Sequence, residues 1–241
     1  MPYRKEQFVN DGVYHIILRA LDDNLIFKDI DDYYRGIFSI YEFDDIKPTT
    51  IQKRREERAR LKKLGRDRIS TNADFVDKRD KLVSVLAFCF MPNHIHLLLK
   101  QIKENGITQF MRKVGIGYAG YFNRKYQRKG YVFQNRFSSV HIKNDSQLKV
   151  VFTYIHTNPT SIIKPKWKEI GINNPEEVIK FLEEYKWSSY PDYIRKNNFP
   201  SVTERNFMLE IIGSEQGCKD FVDNRIKSKK KIGEFPEILL E

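Results

Sequence analysis

The chain has 241 residues, and its 43 Lys and Arg exceed its 32 Asp and Glu, which gives a formal net charge of +11. Hydrophobic residues account for 40% and charged residues for 31%, a composition that excludes a mainly disordered chain and a membrane-embedded one. The basic charge and the 13% of aromatic residues fit a protein that binds phosphate backbones and stacks unpaired bases, but a merely solvated basic surface has the same composition.

Strands and helices alternate in the first half of the chain. Residues 13–19 are rich in β-branched and aromatic side chains and predict a strand. Residues 29–41 carry apolar side chains at helical spacing and predict a helix. Two apolar runs, residues 82–90 and 94–100, are separated by Met91-Pro92-Asn93, which is typical of a tight turn between antiparallel strands.

The second half is mainly helical. Residues 107–125 repeat apolar side chains every three or four positions and predict a long helix, whose three glycines indicate a close approach to the sheet or to a ligand. Residues 137–142 predict a further strand, and a helix capped by Asp145 or Ser146 then runs to Pro159. More helices are predicted over residues 174–185, 201–213 and about 218–222, before a basic tail at 227–231.

The composition changes in a charged insertion from about residue 43 to 77. Residues 52–63 at its centre are mostly charged, with both signs present and Lys and Arg predominating. Mixed signs favour an exposed helix without catalytic role, whereas the basic excess favours contact with nucleic acid or phosphate. Both interpretations remain open at this point.

The two cysteines and the chain start bear on the cellular compartment. Cys89 and Cys218 are too few for a disulfide framework or a four-thiolate zinc site, so both are expected to be small apolar packing residues. Residues 1–7 lack the apolar core of a signal peptide, and no later run approaches the roughly 18 apolar residues of a membrane span. We therefore expect a cytoplasmic protein without a membrane partner.

His94 and His96 lie two positions apart on a predicted strand. A period of two directs both imidazoles to one face of the sheet and sends Ile95, Leu97 and Leu99 to the other. Two adjacent imidazoles form half of a metal site, because neutral His is a common ligand of divalent transition metals. A chance pair of histidines on a strand is about equally compatible with this pattern.

Tyr154 and Asn158 lie four positions apart on a predicted helix, so a phenol and an amide share one helical face. An amide oxygen can complete a His-His-amide metal site, and a phenol beside it can act as a nucleophile. Because a phenol has a pKa of about 10, it needs a metal ion to stabilise the transition state. The spacing alone fits a core aromatic and a helix C-cap before Pro159 at least as well.

The segment from Met91 to Leu99 resembles the His-hydrophobic-His (HUH) motif of single-tyrosine transposases, in the form found in REP-associated tyrosine transposases. Four further segments resemble that family in the same order. They are Val13-Tyr14-His15-Ile16, Tyr121-Phe122-Asn123 with residues 130–137, Tyr154-Ile155-His156-Thr157-Asn158-Pro159 and Tyr185-Lys186-Trp187-Ser188-Ser189-Tyr190. Five ordered segments across residues 8–195 are far more specific than one pair of histidines.

The resemblance implies an α+β fold of the ferredoxin-like HUH endonuclease type. A central antiparallel sheet would carry helices packed on it, and further helices would follow at the C-terminal side. The expected catalytic domain covers residues 1–165 and includes the charged insertion at about 43–77. A helical extension with a basic tail would cover residues 166–241.

The resemblance also implies a metal-dependent enzyme that cleaves and rejoins single-stranded, hairpin-containing DNA. Tyr154 would be the nucleophile, forming a 5′-phosphotyrosine link and releasing a 3′-hydroxyl. His94 and His96 would bind Mg2+ or Mn2+, with Asn158 as third ligand, although related enzymes often have Gln near that position. Such a protein would be associated with the nucleoid, and related transposases include monomers and homodimers.

Four side chains are candidate DNA contacts, since basic and amide groups near a nucleophile can hold phosphates. They are Arg124, Lys125, Gln134 and Arg136. Alternatively, Gln134 and Arg136 simply stabilise a strand edge. If the DNA interpretation holds, the excess Lys and Arg of residues 53–68 and 124–136 should border the face that holds the catalytic residues.

Two other functions fit parts of the sequence. A domesticated protein that binds structured single strands without cutting them would have no need of a paired metal site and nucleophile. A metal-dependent hydrolase would use His94 and His96 to activate water, with Tyr154 structural. The hydrolase lacks support, because no neighbouring Asp or Glu in the sequence completes a familiar hydrolytic site.

Overall fold

A four-stranded sheet organises the fold in a computed structural model that describes residues 7–48, 50, 52, 56, 59–60, 77, 79–134 and 136–228. Its strands are β1 (Val13–Arg19), β2 (Val83–Met91), β3 (His94–Gln101) and β4 (Ser138–Ile142). The helices of the described residues, in chain order, are α1 (Ile30–Glu42), α2 (Gly106–Lys125), α3 (Asp145–Thr157), α4 (Thr160–Ile163), α5 (Trp167–Ile170), α6 (Pro175–Glu184), α7 (Tyr190–Tyr193), α8 (Arg205–Ile212) and α9 (Glu215–Lys227).

The strands are arranged in the order β2-β3-β1-β4, and every neighbouring pair is antiparallel. With α1 after β1 and α2 after β3, the chain follows the βαββαβ order of the ferredoxin-like topology. The predicted α+β fold with a central antiparallel sheet and C-terminal helices is therefore confirmed. β1 lies in the middle of the sheet, between the strand with the two histidines and β4.

Both faces of the sheet are covered. Helices α1 and α2 pack on one face, against a core that contains Ile95, Leu97 and Leu99, as predicted. Helix α3 packs on the opposite face together with residues of α8 and α9. A bulge between Val85 and Ala87 shifts the register of β2, so the alternation of side chains changes sides within that strand.

Helix α1 is fixed at both ends. Asp29 and Asp32 form a capping box at its start, each side chain accepting a hydrogen bond from the other's backbone N–H. After its end, the ring of Phe43 lies against Gly117 of α2, where a Cβ would overlap the ring. The α2 glycines were predicted to approach the sheet or a ligand, but the close approach at Gly117 is to an aromatic side chain that follows α1.

The charged insertion begins later than predicted. Phe43, Asp44 and Asp45 are buried, and Asp44 accepts hydrogen bonds from the backbone N–H groups of Leu82 at 2.9 Å and Val83 at 3.0 Å. They belong to the folded body, because they tie the end of α1 to the start of β2. Most of residues 46–77 lie outside the described residues; the described Gln52, Glu56, Ala59 and Arg60 are helical and exposed.

The Trp187-Ser188-Ser189 segment covers the outer edge of β2. The backbone N–H of Phe90 donates to Trp187 at 2.8 Å, and that of Ser189 donates to Phe88 at 3.0 Å. Pairing with this segment satisfies the exposed backbone groups of an edge strand. Because α8 and α9 also share a core with α3, the described part of the predicted 166–241 extension packs directly on the part of the chain that forms the sheet.

The surroundings of the two cysteines agree with the sequence analysis. Cys89 and Cys218 are buried and unpaired, as expected of packing residues. Among the residues that the structure describes, no helix combines the length and the apolar character needed to cross a membrane.

Candidate active site

His94 and His96 lie at the start of β3 and face helix α3. The register places His94 opposite Arg19 of β1, and His96 between Ile17 and Cys89. His94 is half-buried, whereas His96 has no exposed surface. The strand period therefore brings both imidazoles to one face, as the sequence predicted.

The last turn of α3 completes a compact polar set. The Nε2 atoms of His94 and His96 are 2.9 Å apart, and the Asn158 amide nitrogen is 2.8 Å from His96 Nε2. The Tyr154 ring stands nearly perpendicular to the His96 ring, with 5.6 Å between the centroids. The structure thus brings together all four residues that the sequence analysis proposed for catalysis and metal binding.

Helix α3 presents Tyr154 and Asn158 on the same side. Asn144 caps the helix by accepting from the backbone of Gln147, so the predicted caps at Asp145 or Ser146 are each misplaced. Asn158 occupies the C-cap position, and its backbone N–H donates to Tyr154 at 3.1 Å. Tyr154 is buried and Asn158 does end the helix, yet the Asn158 side chain points at His96.

The hydrogen bonds indicate where the two histidines carry protons. His94 Nδ1 is 2.6 Å from Asn93 Oδ1, an acceptor, so Nδ1 of His94 carries a proton. Burial, together with the neighbouring basic side chains of His94, His15, Lys168 and Arg19, lowers the pKa of His96 well below its usual value, so His96 is neutral. The Asn158 amide N–H donates to the Nε2 of this neutral His96.

The converging nitrogens fit a divalent metal ion. The 2.9 Å between the two Nε2 atoms is short enough for one ion to contact both. In the described residues, no three His, Cys, Asp or Glu side chains form a metal-binding group, and the predicted third ligand, Asn158, has its amide 2.8 Å from His96 Nε2.

Comparison with protein families identifies the segment that contains this site. Residues 49–158 match the family described as Transposase IS200 like. This segment is similar to the transposase domain of that family. It contains β2, β3, α2, β4 and α3, and with them His94, His96, Tyr154 and Asn158. The resemblance to single-tyrosine transposases is confirmed.

Similarity to solved structures is more distant. One similar structure is that of a REP-associated tyrosine transposase bound to a REP hairpin, which shares 13% identity with this chain. The alignment covers 84% of this chain and 90% of that one, with a TM-score of 0.43. No curated protein matches the chain.

Three residues near the candidate site were missed by the sequence analysis. His15 of β1 contacts His96, Arg19 ends β1 opposite His94, and Lys168 of α5 has its Nζ 4.9 Å from the centroid of the Tyr154 ring. His15 lies in a segment that resembles the family, which was a usable signal. Nothing in the local pattern around Lys168 indicated its position.

The four residues predicted to contact DNA differ in their surroundings. Gln134 is exposed, and its backbone N–H donates to Arg19, which places it at the end of the sheet that holds the histidines. Arg136 and Arg124 are exposed. Lys125 instead forms ion pairs of 2.7 Å with Asp29 and with the buried Asp32.

The Tyr-Ile-His-Thr-Asn-Pro and Trp-Ser-Ser-Tyr segments of the chain contact each other. His156 Nε2 is 2.8 Å from the hydroxyl of Ser189, and burial lowers the pKa of His156 to about 3. Its ring also packs against Tyr190 and Tyr193. Since the Ser189 hydroxyl also accepts from the backbone N–H of Phe88 in β2, this contact fixes α3 relative to the sheet.

Proposed function

We propose that the chain is a transposase that cleaves and rejoins single-stranded, hairpin-containing DNA, with Tyr154 as its nucleophile. The observation that carries the proposal is the convergence of Tyr154 and Asn158 on His94 and His96 at one end of the sheet. These side chains come from two elements of an IS200-like transposase domain.

The proposed reaction is a reversible exchange of phosphodiester bonds. The phenol oxygen of Tyr154 bonds to a DNA phosphorus while the bond from that phosphorus to a 3′-oxygen breaks. The phenol loses its proton and the departing 3′-oxygen gains one, leaving a 5′-phosphotyrosine link and a free 3′-hydroxyl. Attack of another 3′-hydroxyl on the link restores the phenol and joins two strands.

The residues at the site suit this chemistry in two ways. His94, His96 and Asn158 would hold the divalent ion, Mg2+ or Mn2+, which when bound polarises the phosphate and stabilises the charge of the transition state. The Tyr154 ring is fixed by edge contacts with both His96 and His15. A fixed nucleophile lowers the barrier because less orientational freedom is lost on reaching the transition state.

Covalent capture tests the proposal. The full chain is incubated with a labelled DNA hairpin and Mn2+, and the products are separated on a denaturing gel. We expect a labelled protein adduct that chelator prevents and that Tyr154→Phe abolishes, while hairpin binding persists in this variant.

The control is Tyr131→Phe, which removes a phenol that is 78% exposed. It should leave the adduct unchanged. An adduct of equal yield in Tyr154→Phe would overturn the proposal. Binding without cleavage by the wild type would indicate the non-cutting protein, and cleavage without an adduct would indicate the hydrolase.

A further inference from the structure

His15 is a buried polar residue next to the candidate metal site. It has no exposed surface, and its Nε2 is 3.1 Å from Nδ1 of His96. The two rings are stacked at 17°, with 5.3 Å between centroids. The sheet creates this contact, because His15 pairs with Leu98 and is therefore the diagonal neighbour of His96 across β1 and β3.

The contact involves the ring nitrogen that faces away from the candidate metal position. His96 Nε2 faces His94 and Asn158, whereas His96 Nδ1 faces His15. A neutral imidazole carries its proton on only one nitrogen. Since the Asn158 amide donates to Nε2, the proton of His96 belongs on Nδ1, directed at His15.

We propose that His15 is a positioning residue that accepts the Nδ1–H of His96 and so keeps the Nε2 lone pair of His96 aimed at the metal. The inference rests on the proposed function, which makes His96 a ligand. Asn93 has the corresponding role for His94, whose Nδ1 it contacts at 2.6 Å. Each ligand is then oriented through its second nitrogen, the arrangement that generally fixes the tautomer and direction of metal-binding histidines.

The geometry argues against His15 as a third metal ligand. Its Nε2 contacts the far side of the His96 ring and does not join the two Nε2 atoms that converge between His94 and His96. The need for a hydrogen-bond acceptor at position 15 distinguishes the proposed role from a role confined to packing. A phenylalanine at position 15 fills similar space without accepting a hydrogen bond, while a glutamine places an amide oxygen near the position of the imidazole Nε2.

Manganese binding by the full chain tests the inference without any DNA reaction. Removing a residue that orients a ligand typically weakens metal binding by about 10–100-fold. We expect His15→Phe to lose Mn2+ affinity by this factor and His15→Gln to keep near wild-type affinity. Paramagnetic resonance of free Mn2+ measures both affinities. The matched control is His141→Phe, which alters the histidine stacked on Tyr14 and should leave Mn2+ affinity unchanged.

Two outcomes separate this inference from the proposed function. If His96→Ala binds Mn2+ as tightly as the wild type, the metal site itself is wrong. If His96→Ala loses binding but folded His15→Phe retains it, His15 does not position His96.

A measurement on the metal-free wild type covers the case in which His15→Phe does not fold. Nitrogen-15 spectra of the histidine rings report which nitrogen carries the proton, and His96→Gln assigns the signals. We expect the Nδ1–H form of His96. Observation of the Nε2–H form would overturn the inference.

Discussion

At the scale of single residues, Lys168 adds a positive charge to the candidate nucleophile. It is half-buried on α5, with its ammonium group over the ring of Tyr154. Its charge also reaches His96, where it contributes to the lowered pKa. A fixed cation at this position stabilises negative charge that develops on a phosphate or on the phenol oxygen in the transition state.

We therefore expect Lys168→Gln to slow adduct formation by roughly 10–100-fold, somewhat less than the loss of a donor in direct contact with a developing charge. Lys168→Arg should restore much of the rate because it keeps the charge. Single-turnover adduct formation with a labelled hairpin measures both variants. Lys180→Gln, on an exposed part of α6, is the control and should react like the wild type. Equal rates for Lys168→Gln and wild type would contradict the prediction.

At the scale of secondary-structure elements, one carboxylate joins α1 to the central sheet. Asp44 follows α1 and accepts two backbone hydrogen bonds at the start of β2. It is only 4% exposed, and burial raises its pKa to about 6. The ionised carboxylate therefore carries a desolvation cost in the folded state that the protonated form avoids.

The raised pKa gives a pH dependence with a definite sign. Protonation of Asp44 stabilises the fold fully below its unfolded pKa of about 4, and this stabilisation is lost as the pH rises through 6. Relative to Asp44→Asn, the wild-type free energy of unfolding should fall by about 2 kcal/mol between pH 4 and pH 7. Urea unfolding of both proteins at four pH values measures the difference.

Asp22→Asn controls for the general effect of removing a carboxylate, because Asp22 is exposed between β1 and α1. Its stability difference from the wild type should vary much less over the same pH range. A wild-type advantage over Asp44→Asn that stays constant or grows as the pH rises would contradict the assignment.

At the scale of the whole molecule, the basic residues behind the net charge of +11 differ in where they lie and what they contact. Arg19 and Lys168 lie close to the histidines, and Gln134 is at the same end of the sheet. Lys125 is occupied by Asp29 and Asp32, so its charge stabilises the junction of α1 and α2. The basic centre of the insertion falls largely outside the described residues, so its predicted place at the site stays a prediction.

Neighbouring basic residues should therefore differ in their effect on DNA binding. Each phosphate contact contributes about 0.7–0.9 to the slope of log affinity against log salt concentration. We expect Arg124→Gln to reduce the slope by about that amount, because Arg124 is exposed. Lys125→Gln should leave the slope unchanged and lower the stability instead. Hairpin titrations at several salt concentrations measure the slopes, and the reverse ranking of the two variants would contradict this view.

Local patterns in the sequence were sufficient for much of the architecture. The strand period placed His94 and His96 on one face, and the helical period placed Tyr154 and Asn158 together one turn apart. Such patterns depend on neighbours along the chain, so they can be read without a fold. The start of the insertion was misplaced because charge composition does not reveal that Asp44 accepts hydrogen bonds from the buried backbone of Leu82 and Val83.

The sequence by itself determined the order of strands and helices, the pairing of the two histidines and the resemblance to single-tyrosine transposases. Only the tertiary structure decided that His15 contacts His96, that Lys168 covers Tyr154 and that Ser189 holds His156. The physical reason is the sequence separation of these partners. Strand pairing and helix packing bring them together through the sheet register and the shared core, and neither leaves a periodic signal around the residues themselves.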